Sequence, residues 1–294
     1  MRVTQSMLSD NMLRNLSNSY GKMSTVQDQI TTGKKITKPS QDPVVAIKGI
    51  GYRTDLNKVE QYQRNVGEVN NWLDSSDDAL DHVGQAVTRL QELVTQAAND
   101  TNTSDDRKKI KVEVSQLRQQ LQDLSNTKVG DKYIFSGTNT LTPLHDGTNF
   151  ADPTVSTGLM KEVKIEVYDG VEIKVNMNGL KLFTDMDDLL AKIETSLGDG
   201  SEGTVISGYL TDISDMQNNV LEQRADIGAR QNRVEMMDNR LSTQEIIATT
   251  LMSENEDIDY EQAITDMITQ ESIHNAALSV GSKIIQATLV DFLR

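Results

Sequence analysis

Residues 59–97 decide the fold, and they read VEQYQRNVGEVNNWLDSSDDALDHVGQAVTRLQELVTQA. Twelve positions from Val59 to Ala97 recur at alternating steps of three and four, and eleven of the twelve are apolar. This spacing forms one stripe along an α-helix and is typical of a coiled-coil seam, so it predicts a long helix with partner helices along it. The central members of this stripe are Val66, Val69, Leu73, Leu80, Val83, Val87 and Leu90.

Two further segments carry matching stripes. After the polar turn at residues 99–104, Ser104 can cap a second helix, whose stripe includes Leu117 and Leu121. Beyond residue 204, apolar residues recur every seven positions, and their neighbouring line at Gln217, Arg224 and Gln231 is polar. A helix of this kind needs partners that satisfy its polar groups. The apolar members of this third stripe include Ile213, Val220, Ile227 and Val234.

The periodicity changes between residues 131 and 200. Apolar and charged residues alternate over 163–175, which predicts two strands of a hairpin. A three-residue loop, 168–170, would pair Val167 with Val171 and Ile165 with Ile173, with Gly170 in the left-handed conformation. Residues 185–197 then predict a short helix that is closed by Gly198.

The two ends of the chain are amphipathic and opposite in charge. Residues 1–40 hold six basic and two acidic residues, whereas residues 255–294 hold seven acidic and two basic residues. These ends are predicted to be helices that pair with each other or with neighbouring chains, although an acid-poor N-terminus also suits a transit peptide. The candidate assembly residues are Leu13, Leu16, Tyr20, Met23, Ile30, Leu278, Ile285, Leu289 and Phe292.

Together these patterns predict a mainly α fold, in which both halves of the chain form a long antiparallel helical bundle or coiled coil with an inserted small α+β domain. Residues 1–43 with 254–294 would form the terminal helices. Residues 44–130 with 201–253 would form the long-helix bundle, and residues 131–200 the inserted domain.

The composition argues against most enzyme and nucleic-acid functions. The 294-residue chain carries a net charge of −15, 4% aromatic residues and no cysteine. The charge disfavours binding to phosphates, and the missing thiols leave few metal ligands. The acidic run at 254–259 lacks the spacing of a calcium loop and suits helix capping, and the basic run at 107–111 suits ion pairing or solvation. We therefore expect no enzyme activity, no cofactor and no metal.

Both ends also resemble the bacterial flagellin family. The resemblance rests on residues 29–36 (QITTGKKI), 39–43 (PSQDP) and 224–233 (RADIGARQNR). Residues 40–44 (SQDPV) and 130–138 (GDKYIFSGT) are more similar to the hook–filament junction proteins of this family than to its filament flagellins. The matched motif positions are Gly33, Pro39, Asp42, Pro43, Arg224, Gly228, Arg230 and Asn232.

The resemblance implies a structural component that joins the hook, through hook-associated protein 1, to the flagellin filament by pairing of its terminal helices. It also implies an extracellular location and terminal helices that are disordered in the free chain. The N-terminus lacks the apolar core of a cleaved secretory signal, and no window is apolar enough to span a membrane, so we expect export without a cleaved signal peptide and no membrane insertion. The implied partners are further copies in a ring, hook-associated protein 1, flagellin and a type III export chaperone near the C-terminus. Filament flagellin is the alternative function. A more distant alternative is a non-flagellar coiled-coil scaffold or an enzyme with a site in residues 131–200.

Overall fold

The structure is a computed structural model that describes residues 5–99, 102–152 and 158–284. Over these ranges the chain is mainly helical, which confirms the predicted fold class. The helices are α1 (Gln5–Thr32), α2 (Pro43–Ala97), α3 (Ser104–Ser125), α4 (Gly179–Gly198), α5 (Gly203–Glu256) and α6 (Tyr260–Ile284). The strands are β1 (Lys128–Val129), β2 (Lys132–Tyr133), β3 (Lys164–Tyr168) and β4 (Val171–Lys174).

The chain divides into two compact units. The terminal unit contains the described parts of residues 1–58 and 244–294, and the central unit contains those of 59–243. α2 and α5 each contribute residues to both units. The separation of residues 131–200 as a domain of their own stays a prediction.

α2 begins where the sequence placed the break between helices. The Asp42 carboxylate accepts hydrogen bonds from the amides of Val44 and Val45 at 2.9 and 3.1 Å, and Pro43 occupies the first helical position. An aspartate cap followed by proline suits a helix start, because the first amides lack partners within the helix and proline has no amide hydrogen to lose.

The stripe of residues 59–97 forms the core of the central unit. Every apolar member from Val66 to Ala97 is buried, and Tyr62 packs against this core. A second buried line on α2 widens the stripe at steps of seven: Trp72, Ala79, Ala86 and Leu93. Two adjacent buried lines give α2 an apolar face wide enough for more than one neighbouring helix.

The N-cap of α3 lies one residue earlier than predicted. Thr103, rather than Ser104, is the N-cap, and its hydroxyl accepts a hydrogen bond from the amide of Asp106. At the start of α6, the sequence suggests a capping box of Asp259 and Gln262, and half of it forms: the Asp259 carboxylate accepts a hydrogen bond from the amide of Gln262 at 3.2 Å, whereas the Gln262 side chain donates to Asp266. α4 begins at Gly179, earlier than predicted, and its inner face joins the core of the central unit.

The polar line of α5 finds its partners on α2. Gln217 lies 3.5 Å from the Thr88 hydroxyl, and the Gln231 amide donates to Asp74 at 2.8 Å. Beside this line, the seven-residue apolar repeat of α5 is buried from Ile206 to Leu241. Asp74 of α2 therefore helps to hold α5.

The β3–β4 hairpin has one of the predicted residue pairs, but its turn differs from the predicted one. Ile165 pairs with Ile173 as predicted, and Gly170 has a φ of +72°. The predicted pairing of Val167 with Val171 is wrong, because Tyr168 takes the place opposite Val171. Residues 169–170 alone form the turn, and an irregularity between residues 166 and 168 takes up the extra residue. This bulge lets Val167 enter the core, where it is fully buried.

Candidate assembly surface

α1 and α6 pack against each other along a seam that is mostly apolar on α1 and mostly small or polar on α6. Its least exposed positions on α6 are Ala263, Met267, Gln270, His274, Ala277 and Gly281. The corresponding line on α1 is Met12, Leu16, Ser19, Met23, Val26 and Ile30. Within the described ranges, the Ser19 hydroxyl and Nδ1 of His274 are buried without a hydrogen-bond partner. Apart from Ser19, Ala263 and Gly281, the seam residues are only partly buried, and the two unpartnered polar atoms add a cost, so the seam contributes modestly to stability.

Large apolar side chains of the same two helices lie on the surface instead. On α1, Leu13 is 52% exposed and Tyr20 is 62% exposed. On α6, Ile264 and Ile268 are 50% and 59% exposed, and Leu278 is exposed as well. A concentration of exposed apolar side chains of this kind marks a contact surface rather than an ordinary solvated face.

The structure splits the predicted terminal stripe between the seam and the surface. Leu16, Met23 and Ile30 are half-buried in the seam, whereas Leu13 and Tyr20 lie on the exposed side of α1. Sequence spacing alone does not separate these two faces of α1. A stripe through residues 12, 16, 19 and 23 and a stripe through residues 13, 16, 20 and 23 both follow the steps of three and four that are typical of a helix face. Ile285, Leu289 and Phe292 lie outside the described residues.

A clasp between residues 33–35 and 256–258 joins the two limbs of the terminal unit. The amide of Lys35 donates to the carbonyl of Glu256 at 2.7 Å, and the amide of Ile258 donates to the carbonyl of Gly33 at 3.0 Å. Gly33 ends α1 with a φ of +70°, a conformation that favours glycine. The motif glycine therefore turns the chain toward the end of α5.

An ion pair reinforces the clasp. Nζ of Lys34 donates to the Asp257 carboxylate at 2.6 Å. This hydrogen bond raises the pKa of Lys34 above its ordinary value. It also lowers the pKa of Asp257, with a second hydrogen bond from the Ser253 hydroxyl acting in the same direction. The charged forms of both groups are therefore favoured when the clasp is closed.

Glu256 is the buried charge at the centre of the clasp. Its carboxylate accepts a hydrogen bond from Arg53 at 2.6 Å and lies 3.6 Å from Nζ of Lys34. Gly49 allows this approach, because a Cβ at that position would collide with the carboxylate. Sequence reasoning treated residues 254–259 as a solvated linker and missed the role of Glu256. The nearby cations Lys34 and Arg53 lie more than 200 residues away in the sequence, so local patterns give no sign of the cluster.

Two arginines of the 224–233 motif anchor the central unit. Arg224 donates to Asp77 and Asp81 on α2 at 2.9 and 2.6 Å, and the hydrogen bond to Asp77 raises its pKa. Arg230 donates to the carbonyls of Lys174 and Asn176, at the end of β4, at 3.4 and 3.2 Å. The motif thus ties α5 both to α2 and to the hairpin.

Three other motif positions make fewer contacts in the described structure. Asn232 is exposed, and a Cβ at Gly228 would meet no atom within 4 Å. Pro39 lies in the connection between α1 and α2 and lines a cavity there.

The predicted bundle positions lie in the core of the central unit. Leu117 packs against this core, and the other twelve are buried: Val66, Val69, Leu73, Leu80, Val83, Val87, Leu90, Leu121, Ile213, Val220, Ile227 and Val234.

An ion-pair network between α3 and α4 was not found from the sequence. Arg118 donates to both oxygens of Asp187 at 2.7 Å, and Gln122 donates to the same carboxylate at 2.8 Å. Burial raises the pKa of Asp187, but these hydrogen bonds outweigh it and leave the pKa below its ordinary value. Paired charges on two facing helices fix their alignment, and sequence periodicity does not reveal such pairs.

The basic run at 107–111 is used within the chain. Arg107 is buried and donates to the carbonyls of Ala97 and Ser201, while Lys108 and Lys109 pair with Asp105 and Asp106 on their own helix. Among the described residues, no three histidine, aspartate or glutamate side chains are grouped as a metal site would require. Across the same ranges, no helix combines the length and the apolarity needed to cross a membrane.

Comparison with known proteins places both ends of the chain in one family. The family model described as the bacterial flagellin N-terminal helical region matches residues 3–140, and that of the bacterial flagellin C-terminal helical region matches residues 210–293. Together they cover the clasp, both terminal helices and most of the bundle.

Similar proteins include both hook-associated and filament proteins. Flagellar hook-associated protein 3 of Escherichia coli strain K12 is 25% identical over 94% of this chain and 95% of its own. Flagellin of Bacillus subtilis is 24% identical over 94% of each chain. The crystal structure of the flagellar junction protein FlgL of Legionella pneumophila shares the fold, with a TM-score of 0.55 and 16% identity over 71% of this chain and 100% of the other. This chain belongs to the bacterial flagellin family.

Proposed function

We propose that this chain is a structural component of the flagellum that joins the hook to the filament. One observation carries the proposal: the paired terminal helices leave large apolar side chains exposed, at Leu13, Tyr20, Ile264 and Ile268 among others. The full-length similarity to flagellar hook-associated protein 3 supports the junction in particular. The role is one of assembly rather than catalysis, and the location is the extracellular flagellum.

Assembly would cover the exposed faces of α1 and α6 with those of neighbouring copies. Burial of these apolar side chains supplies most of the association energy. The net charge of +4 in residues 1–40 and of −5 in residues 255–294 guides the orientation of neighbouring helices more than it adds affinity.

The proposed partners are the proteins on either side of the junction. Copies of this chain form a ring, hook-associated protein 1 lies on the hook side, and flagellin lies on the filament side. A type III export chaperone binds near the C-terminus before assembly, when the terminal helices are still unpaired with other copies.

Deletion of the gene tests the proposal. We expect cells whose hooks carry no filaments in electron micrographs and which release unpolymerised flagellin into the medium, with both defects restored by the intact gene on a plasmid. Cells that still carry filaments of normal length would contradict a junction role.

Filament flagellin is the second candidate, because flagellin of Bacillus subtilis is also similar to this chain over nearly its whole length. The candidates differ in self-assembly. A flagellin forms long filaments from the purified chain alone, whereas a junction component stops at small assemblies. Electron microscopy of the concentrated, purified chain distinguishes them, and long filaments would favour flagellin.

A further inference from the structure

The connection between α1 and α2 encloses a cavity of about 260 Å³ in the terminal unit. Its apolar wall comes from Ile36, Pro39, Val45 and Ile50, and its cations are Lys34, Lys38 and Arg53. At about 30 Å³ for each water of liquid volume, the cavity holds several waters and admits a branched aliphatic side chain. We call it the basic hinge pocket.

The pocket keeps an excess of positive charge. Glu256 is its one carboxylate and is held by Arg53 and Lys34. Lys38 makes no ion pair within the described part of the chain. Beside the pocket, Val44 and Ile47 are also exposed on the first turns of α2, Ile47 by 70%. Because Lys34 and Arg53 already pair with Glu256 and Asp257, Lys38 supplies the remaining positive charge at the edge of this apolar depression, which suits an apolar segment with a carboxylate beside it.

α6 carries a surface of this kind. Tyr260, Ile264, Ile268 and Glu271 follow one another at steps of four, four and three, which places them along one face of the helix. All four are exposed, as is Glu261 beside them. We call these five residues the acidic strip. The seam with α1 uses a different face of α6, so the pairing of the two helices leaves the strip open.

The strip and the pocket do not fill each other within one chain. No α6 residue lines the pocket, and both Ile264 and Ile268 are at least half exposed. Two complementary surfaces that stay open on one molecule can meet between two molecules. Because the surfaces differ, such a contact is head-to-tail and continues from copy to copy, as a ring or helical assembly requires.

We propose that the basic hinge pocket of one copy receives the acidic strip of the next copy. The aliphatic side chains of Ile264 and Ile268 enter the apolar part of the pocket, and Glu261 and Glu271 face Lys38 and its neighbouring cations. This inference rests on the proposed function, since it names the contact that continues the assembly. It adds a specific pair of surfaces to the general association of terminal helices.

Disulfide formation between single-cysteine chains tests the contact, and the absence of native cysteine makes the test clean. Full-length chains with Ile50→Cys are co-expressed with chains that carry Ile264→Cys or Ile268→Cys, and isolated flagella are oxidised. Because each chain has one thiol, a disulfide between the two variants forms only between copies. Ile273→Cys, on the other flank of α6 and 49% exposed, is the matched control.

We expect a mixed dimer on non-reducing gels for Ile264→Cys or Ile268→Cys with Ile50→Cys, and none for the Ile273→Cys control. A mixed dimer with Ile273→Cys alone, or none in flagella that contain both chains, would overturn the pocket–strip contact while leaving the junction function intact. Absence of the unsubstituted chain from isolated flagella would instead overturn the proposed function.

If the cysteine variants fail to assemble, paired charge-reversal substitutions test the contact instead. Lys38→Glu is expected to reduce the number of filaments per cell, and Glu261→Lys or Glu271→Lys in the same chain is expected to restore it. Lys22→Glu on α1, outside the pocket, serves as the control for charge reversal alone. No restoration by either second change would overturn the inference.

Discussion

Gly49 and Gly51 lie two positions apart in α2 but have different surroundings. A Cβ at Gly49 would collide with the buried Glu256 carboxylate, whereas a Cβ at Gly51 would meet no atom within 4 Å. Glycine inside a helix normally costs stability relative to alanine. At Gly49 the close approach of Glu256 reverses that preference, so a residue with no side chain is required there.

The two glycines therefore predict opposite effects of the same substitution. Gly51→Ala is expected to stabilise α2 by about 0.5–1 kcal/mol, because it removes backbone entropy from the unfolded chain. Gly49→Ala is expected to destabilise the terminal unit by about 1–3 kcal/mol, because the carboxylate must move from Arg53. Hydrogen exchange of the amides of α2 and of Ile258 measures both, and equal effects of the two changes would contradict the clasp geometry.

The Asp257 carboxyl makes the clasp sensitive to acid. Because Lys34 lowers the pKa of Asp257 in the folded chain, its contribution to stability is present above the unfolded pKa of about 3.9 and is lost as the pH falls through the folded value. We expect NMR titration of this carboxyl to give a midpoint below the ordinary value. Lys34→Met should raise that midpoint, and an unchanged midpoint would contradict the ion pair.

At the scale of elements, α5 depends on polar contacts as well as on its apolar repeat. Arg224 is one-third exposed and lies between Asp77 and Asp81, so its removal leaves two neighbouring carboxylates without their shared cation. Arg233, further along the same helix, is exposed and makes no ion pair with another described residue. Comparing substitutions at these two arginines therefore distinguishes the loss of a specific ion pair from the loss of a positive charge on the helix.

Arg224→Ala is expected to lower the free energy of unfolding of the central unit by about 1 kcal/mol, since the pair is partly screened by solvent. Arg233→Ala should change it by less than about 0.5 kcal/mol. Trp72 is the single tryptophan of the chain and is buried in this unit, so its fluorescence during urea unfolding reports both values. Equal losses for the two variants would mean that Arg224 acts through helix charge alone.

Periodicity predicted the elements well where a helix buries a wide and regular stripe. The stripe of α2 and the seven-residue repeat of α5 were both found, since long runs of apolar residues at fixed spacing leave few alternatives. On α1 the prediction was only partly right, because Leu16, Met23 and Ile30 fit two possible stripes equally well. The choice between them depends on α6, whose seam uses Ala263, Ala277 and Gly281 rather than its large apolar residues.

Contacts between distant segments could not be predicted in the same way. The Arg118–Asp187 pair and the Glu256 cluster each join residues that are far apart in the sequence, and a charged residue on a helix is usually solvated. The hairpin turn shows the same limit on a smaller scale. Its glycine was predicted, but the bulge at Val167 depends on the core that receives this side chain.

At the scale of the whole molecule, the terminal helices should be the least stable part of the free chain. Most residues of their seam are only partly buried, and the Ser19 hydroxyl has no partner in the described structure. Segments with few buried apolar contacts open more readily than the rest of a protein. The predicted disorder of both ends before assembly is consistent with this weakness and stays a prediction.

Hydrogen exchange of the free chain tests that prediction. We expect amides of α1 and α6 to exchange much faster than those of α2 between Val66 and Val94, and to become protected in isolated flagella. Exchange in the free chain as slow as that of α2 would show that the terminal helices are already stably paired before assembly.

The central claim is that the exposed apolar faces of α1 and α6 form the assembly surface, and a pair of aspartate substitutions tests it most directly. Leu13→Asp with Ile268→Asp replaces two exposed side chains and leaves the seam and the core unchanged. In a deletion strain complemented with this variant, we expect electron micrographs of hooks without filaments and release of the variant in folded form, as shown by an unchanged Trp72 signal. Normal filaments on these cells would contradict the account.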